Sequence, residues 1–286
     1  MLVLLAVAFS APIAHAQTPG EDDGAESQDA GAPVLPLDGG NVHSASHPTK
    51  RTEKDGMVLV TGGRFTMGSN DGTAPANEKP AHAETVASFW IDKTEVTVGA
   101  YRVCVAEKKC APPQRTSPLC TWDLGDDALP VACVRFLDAD GYCRHVGKRL
   151  PHEVEWELAA RGPQPLRYPW GGGASSCATA ATLLNDATGR SCTGRRPSHV
   201  GAHAMGASPF GALDMAGNVE EWTADWYVEH VAPGARPHTG SSHVLRGGGW
   251  LSPPGQSKTT SRNWGSSVEA GPNVGFRCVR EGTSQH

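Results

Sequence analysis

Glycine interrupts this chain so often that long regular elements have no room to form. It occupies 34 of the 286 positions, roughly 12% against a typical ~7%. Each glycine weakens the helix or strand around it and opens backbone conformations that suit tight turns. The apolar residues fall accordingly into short bursts. Met57-Val-Leu-Val-Thr61 and Ser88-Phe-Trp-Ile-Asp92 read as strands, and Gly62-Gly63 turns the chain into Arg64 to Ser69 between them. Val98 to Glu107 and Asp138 to His145 read as helices, the second stopped by Gly147. Pro151 suits the first turn of a third helix, in which Val154 and Leu158 share a face and Gly162 is the stop. Beyond Gly162 the chain reads mostly as loop, with short strands at Val244-Leu-Arg246 and Gly275-Phe-Arg-Cys-Val279. The expected class is α+β, irregular and loop-rich, without an internal repeat.

The ends of the chain read differently from its middle. Residues 1–16 form an apolar run closing on Ala14-His15-Ala16, a small-x-small cleavage pattern, although no Lys or Arg precedes it. A signal peptide is therefore expected, and with it an exported protein, periplasmic or extracellular. Residues 17–55 are rich in Pro, Gly, Ser, Ala and acid. They carry too little apolar surface to offset their ordering entropy and read as a disordered linker. The folded domain is expected over 56–282, followed by a tail at 283–286. No later stretch approaches the ~18 apolar residues of a membrane span. The net charge of −5 offers no basic face for nucleic acid. Eight cysteines behind an export signal point to disulfides, and the absence of Cys-x-x-Cys weakens zinc and thioredoxin-like readings.

Four phrases stand in a fixed order: Gly147-Lys-Arg-Leu-Pro-His-Glu-Val-Glu-Trp-Glu157, Asp214-Met-Ala-Gly-Asn-Val-Glu-Glu-Trp222, Arg246-Gly-Gly-Gly-Trp250 and Gly275-Phe-Arg-Cys278. Gly63-Arg-Phe-Thr-Met-Gly68, Ile91-Asp-Lys-Thr-Glu-Val-Thr97, Pro130-Val-Ala-Cys-Val-Arg-Phe136 and Tyr168-Pro-Trp-Gly171 accompany them. Taken together, they closely resemble the sulfatase-modifying-factor family, whose founding members are the formylglycine-generating enzymes. The resemblance implies a C-type-lectin-like fold poor in regular secondary structure. Read on their own chemistry, Trp156, Trp170, Trp222, Trp226 and Trp250 are large apolar bodies with one N–H each, suited to a small core. Arg149, Arg246 and Arg277 are forked donors able to gather carbonyls and carboxylates such as Glu155 and Glu221.

The resemblance also carries a chemistry, and this chain departs from it. The family's oxidases hold Cu(I) between two thiolates and use O₂ to oxidise a cysteine of a client sulfatase. Here the two cysteine positions fall on Ser252 and Ser257, with Pro253-Pro254-Gly255 between them. Hydroxyls are hard, neutral donors and poor ligands for soft Cu(I). Gly249 stands where the family has serine, and Glu220 where the oxidases have tryptophan. Copper is thus not expected, and no catalytic residue is assigned. Trp250, Asn263 and Trp264 are expected to line the old substrate groove with the two serines.

The resemblance further implies a structural calcium ion, with Asp214 and Glu221 as side-chain ligands and Gly217 and Val219 as carbonyl ligands. It implies a Cys143–Cys278 disulfide; Cys104–Cys110, Cys120–Cys133 and Cys177–Cys192 are expected as local pairs. The functional expectation is a pseudoenzyme: a secreted binding or accessory module for an unknown peptide, protein or glycan. The alternatives are an active formylglycine-generating oxidase and a lectin-like carbohydrate binder.

Overall fold

The computed structural model describes residues 52–183, 191–194, 196–230 and 234–282. The expected signal peptide (1–16), most of the expected linker (17–55) and the tail (283–286) lie outside these residues. The last linker residues do not behave as linker. Strand β1 (Glu53–Lys54) folds back on β2 (Met57–Val60), with Lys54 opposite Met57. Asp55 and Gly56 between them both adopt positive φ, 55° and 70°, as a two-residue hairpin turn requires. Asp-Gly is the sequence signature of that turn.

β2 pairs antiparallel with β5 (Phe89–Asp92), and β5 pairs antiparallel with the last strand, β10 (Val279–Glu281). This gives a four-stranded sheet, β1-β2-β5-β10. Beside it β3 (Gly63–Met67) and β4 (His82–Val86) form a two-stranded ribbon. A second four-stranded sheet has the order β8-β7-β6-β9 and comprises β6 (Glu220–Trp226), β7 (Ser242–Arg246), β8 (Arg262–Ser266) and β9 (Val274–Gly275), with β6 and β9 parallel. The sequence reading missed β6 and β8. The frame is mixed, loop-rich α+β.

Three short helices brace the sheets. α1 (Val98–Ala106) starts at Thr97, whose hydroxyl accepts from the Ala100 N–H at 3.1 Å. α2 (Phe136–His145) carries Asp138 in its first turn, clasped by Arg135, and Arg144 and His145 in its last, both favourable to the helix dipole. α3 (Glu153–Arg161) begins later than the Pro151 reading expects. The Pro151 carbonyl is drawn out to the Ala224 N–H of β6 at 2.8 Å, and the His152 N–H is taken by Glu155 Oε2 at 2.8 Å. α3 does not present one apolar face either, since every one of its residues is buried.

α3 can be buried all round because each of its acids meets an arginine. Glu153 accepts from Arg262 at 2.6 and 3.1 Å, and Glu155 from Arg149 at 2.7 Å twice. Glu157 joins Arg161 at 2.6 Å and Arg246 at 2.5 Å. Leaving any of these carboxylates unpaired would cost several kcal/mol. One apolar core, including Ile91, Phe89, Trp156 and Met215, packs α3 against the first sheet and the ribbon. A second, including Tyr101, Tyr142, Trp222 and Phe276, packs α1 and α2 against the second sheet. All eight cysteines form disulfides: Cys104–Cys110, Cys120–Cys133, Cys143–Cys278 and Cys177–Cys192. Cys143–Cys278 ties α2 to the segment entering β10 inside the second core.

Candidate functional site

The Arg-Gly-Gly phrase begins at the end of β7. Arg246 is buried and donates to the carbonyls of Thr259, Thr260 and Ser261 at 2.8–3.1 Å while pairing with Glu157. It thereby pins the return of the 247–261 loop. Inside that loop Ser252 is 5% exposed; its Oγ accepts from the Gly249 N–H at 3.0 Å, closing a tight turn. Ser257 is fully buried, and its Oγ has no hydrogen-bond partner. Gly248 packs so closely on Ser257 that a Cβ there would lie 2.6 Å from that hydroxyl.

Gly249 has no side chain for a visible reason. A Cβ on it would sit 2.2 Å from Asn273 Oδ1. Asn273 fills that space, accepting from the Leu251 N–H at 3.1 Å and donating from Nδ2 to Glu220 Oε2 at 3.4 Å. The other Glu220 oxygen receives Asn263 Nδ2 at 2.8 Å. Burial pushes the Glu220 carboxyl upward, and the two amides pull it back.

Two adjoining cavities, about 310 and 480 Å³, share Glu220, Leu245, Asn263 and Trp264 as walls. Trp264 is 51% exposed and stacks on Tyr227 at 4.6 Å. Arg262 lies over the Tyr227 ring at 5.1 Å. Asn263 and Trp264 are thus on the groove, and Glu220 joins them. Trp250 is not on it: fully buried, it donates its indole N–H to the Pro272 carbonyl at 3.2 Å and is a core residue. Ser252 and Ser257 lie behind the wall, whose loop surface is Gly248, Gly255 and Gln256. The sequence reading missed Asn273, which sits two residues before the Gly-Phe-Arg-Cys phrase.

The residues expected to hold calcium lie elsewhere. Asp214 and Asn218 adopt positive φ (57° and 64°), and Gly217 packs so close to the Ala181 carbonyl that a Cβ would meet it at 2.6 Å. Asp214 Oδ2 accepts from the Gly201 N–H at 2.5 Å, while Oδ1 is buried without a partner. Glu221 gives both oxygens to Arg277 at 2.7 Å, and Oε2 also receives the Trp156 indole N–H at 2.8 Å. Val219 is buried. Glu95 is buried nearby with both carboxylate oxygens unpartnered, and burial followed by the charge of Asp214 pushes its carboxyl well above the usual range. Glu95, Asp214 and Glu221 set three carboxyls against the single guanidinium of Arg277. Among the described residues, no three His, Cys, Asp or Glu side chains converge as a ready-made metal site.

A model of the sulfatase-modifying factor enzyme 1-like domain matches residues 42–282. Hercynine oxygenase of Mycolicibacterium smegmatis is 33% identical over 72% of this chain and 57% of its own length. The serine/threonine-protein kinase pkn1 of Chlamydia pneumoniae is 31% identical over 78% of this chain but only 38% of its own. The chain therefore spans about half or less of these relatives. The inactive C-alpha-formylglycine-generating enzyme 2 of Mus musculus is 31% identical over 78% of this chain and 85% of its own length. Among solved structures, PvdO from Pseudomonas aeruginosa superposes with a TM-score of 0.65 at 29% identity, covering 79% of this chain and 94% of that one. Treponema denticola variable protein 1 shares the fold at a TM-score of 0.62 and 20% identity, covering 79% and 95% of the two chains. No helix among the described residues is long and apolar enough to cross a membrane.

Proposed function

The chain belongs to the sulfatase-modifying factor enzyme 1-like family, and from that premise we propose that it is an exported member without copper oxidase chemistry, acting as a binding module through the groove at Glu220, Asn263 and Trp264. One observation carries the reading. The two positions that should supply thiolates are Ser252 and Ser257, while all eight cysteines are engaged in disulfides. Two hydroxyls do not suit a soft Cu(I) ion, and an oxidase would have to open a disulfide to recruit sulfur. The relative named as an inactive formylglycine-generating enzyme, 31% identical, is in keeping with a family that includes members without the activity. The export assignment draws on residues 1–16 and the four disulfides. The C-type-lectin-like description of the fold belongs to the same proposal, supported by the loop-rich frame and by the first and last strands sharing one sheet.

Calcium is the ion we propose for the 214–221 turn. The unpartnered oxygens of Asp214 and Glu95, and the crowding of the Glu95, Asp214 and Glu221 carboxyls around one guanidinium, fit a hard divalent cation. Asp214 and the carbonyls of Gly217 and Val219 would hold it. Glu221, committed to Arg277, would orient the turn, and the ion would supply charge compensation rather than chemistry.

The test of the main reading is mass spectrometry of a Cys-x-Pro-x-Arg peptide incubated in air with the Cu(I)-treated full-length protein, beside an active family oxidase. We expect no formylglycine product. Conversion of the peptide cysteine would overturn the reading.

A further inference from the structure

Most of the buried acids of this domain meet a cation. Glu78 has Lys258, Glu153 has Arg262, Glu155 has Arg149, Glu157 has Arg161 and Arg246, and Glu221 has Arg277. Three buried acids have no such pair among the described residues: Glu95 and Asp214 at the 214–221 turn, and Glu220. Glu220 is buried, and its two oxygens receive only the side-chain amides of Asn263 and Asn273. Both oxygens are acceptors in this arrangement, which suits a carboxylate, yet no Lys, Arg or His pairs with it among the described residues. A buried carboxylate without a countercharge is poorly compensated by two neutral amides. It is also the one such acid that lines both cavities.

The rest of the groove agrees. Glu269 contributes a second carboxylate to its walls; of the other charged lining groups, Glu78 is already paired with Lys258 and Arg262 with Glu153. Trp264 is held from behind by Tyr227 and leaves its other face open. An aromatic face beside a carboxylate is the arrangement that recognises organic cations, through ring quadrupole and ion pairing together. Leu245 and Val268 add apolar surface for an aliphatic stem.

Resting on the binding-module reading above, we propose that the groove takes its ligand by an ammonium or guanidinium group seated between the Glu220 carboxylate and the open face of Trp264. The cation supplies the countercharge the fold withholds from Glu220, and its stem lies along Leu245 and Val268. A free amine and a basic side chain on a peptide present the same chemistry, and the probes separate them.

The experiment is calorimetric titration of the full-length protein with agmatine, with the peptide acetyl-Gly-Arg-Gly-amide and with its citrulline counterpart, which keeps the shape of arginine without the charge. Saturable binding of agmatine or the arginine peptide is expected, with the citrulline peptide at least tenfold weaker. Preference for agmatine assigns a small amine, and preference for the peptide assigns a basic side chain. Glu220→Gln and Trp264→Ala should each weaken binding at least tenfold. Trp264 is half exposed, so its variant keeps the core intact should Glu220→Gln disturb folding. Equal binding of the charged and neutral peptides, absence of saturable binding, or full affinity in both folded variants would overturn the proposal. A groove indifferent to cations leaves the binding-module reading standing with another ligand chemistry. Formylglycine formation in the copper assay would remove that reading whatever these titrations give.

Discussion

Replacing Cys143 and Cys278 together by alanine should cost far more stability than replacing Cys104 and Cys110, although both bridges join buried or half-buried sulfurs. The difference lies in the chain they close. Cys143–Cys278 spans 135 residues and Cys104–Cys110 only 6. The loop-entropy relation gives about 5 kcal/mol for the long closure and about 2 kcal/mol for the short one. The long bridge also lies wholly inside the second apolar core, so its loss adds a packing term of about 1 kcal/mol. The assay is urea unfolding of wild type and the two double variants, read by linear extrapolation. The reasoning fails if the two variants lose equal stability, or if Cys104→Ala/Cys110→Ala is the weaker protein. Either result would mean that native packing or strain, and not the freedom of the unfolded chain, sets the contribution of these bridges.

Three further outcomes are expected. His243 is stacked between Phe136 at 3.3 Å and Trp226 at 3.9 Å, and burial depresses it to about 4. It stays neutral in the fold while the unfolded chain protonates it below about pH 6.5, so stability falls by about 1–2 kcal/mol as pH drops from 6.5 to 4. His243→Phe should flatten that part of a Tm-against-pH curve, and an unchanged slope would refute the assignment. Gly249→Ser puts a side chain into the space that Asn273 fills. It should destabilise by about 1–3 kcal/mol, with part of the loss recovered by adding Asn273→Ala, as thermal unfolding would show. Removing divalent ions with a chelator should lower Tm and added calcium should restore it, with Asp214→Ala blind to both; a Tm indifferent to calcium would count against the ion.

The helices were legible because glycine and proline bracket short apolar bursts, and their observed ends differ from the sequence reading by one or two residues. The start of α3 was misplaced because Pro151 looks like a first-turn residue. Its carbonyl in fact serves β6, a partner 73 positions away that local pattern does not reveal. β6 escaped for a related reason. Its residues Glu220 to Trp226 carry burial on nearly every position, so no alternation betrays a strand. The arginines of the ordered phrases are readable as collectors of carboxylates and carbonyls, because a forked donor in a loop-rich fold has few other uses. The resemblance sets Trp250 on the groove, whereas the structure buries it with its indole N–H on the Pro272 carbonyl. Glu220 was noticed only as a departure from family pattern. That it lacks a cationic partner depends on six ion pairs being made elsewhere, and only the assembled fold displays them.

The first sheet also decides how the domain bears load. β2 and β10 flank β5, and both run antiparallel to it, so they run parallel to each other. A pull applied at the two ends of the domain then drags these strands lengthwise past β5, stressing all their hydrogen bonds at once instead of unzipping them singly. The two-residue β1 would peel away first and leave that shear clamp closed. Behind it, the bridge from Cys278 to α2 stops extension from travelling past the last strand.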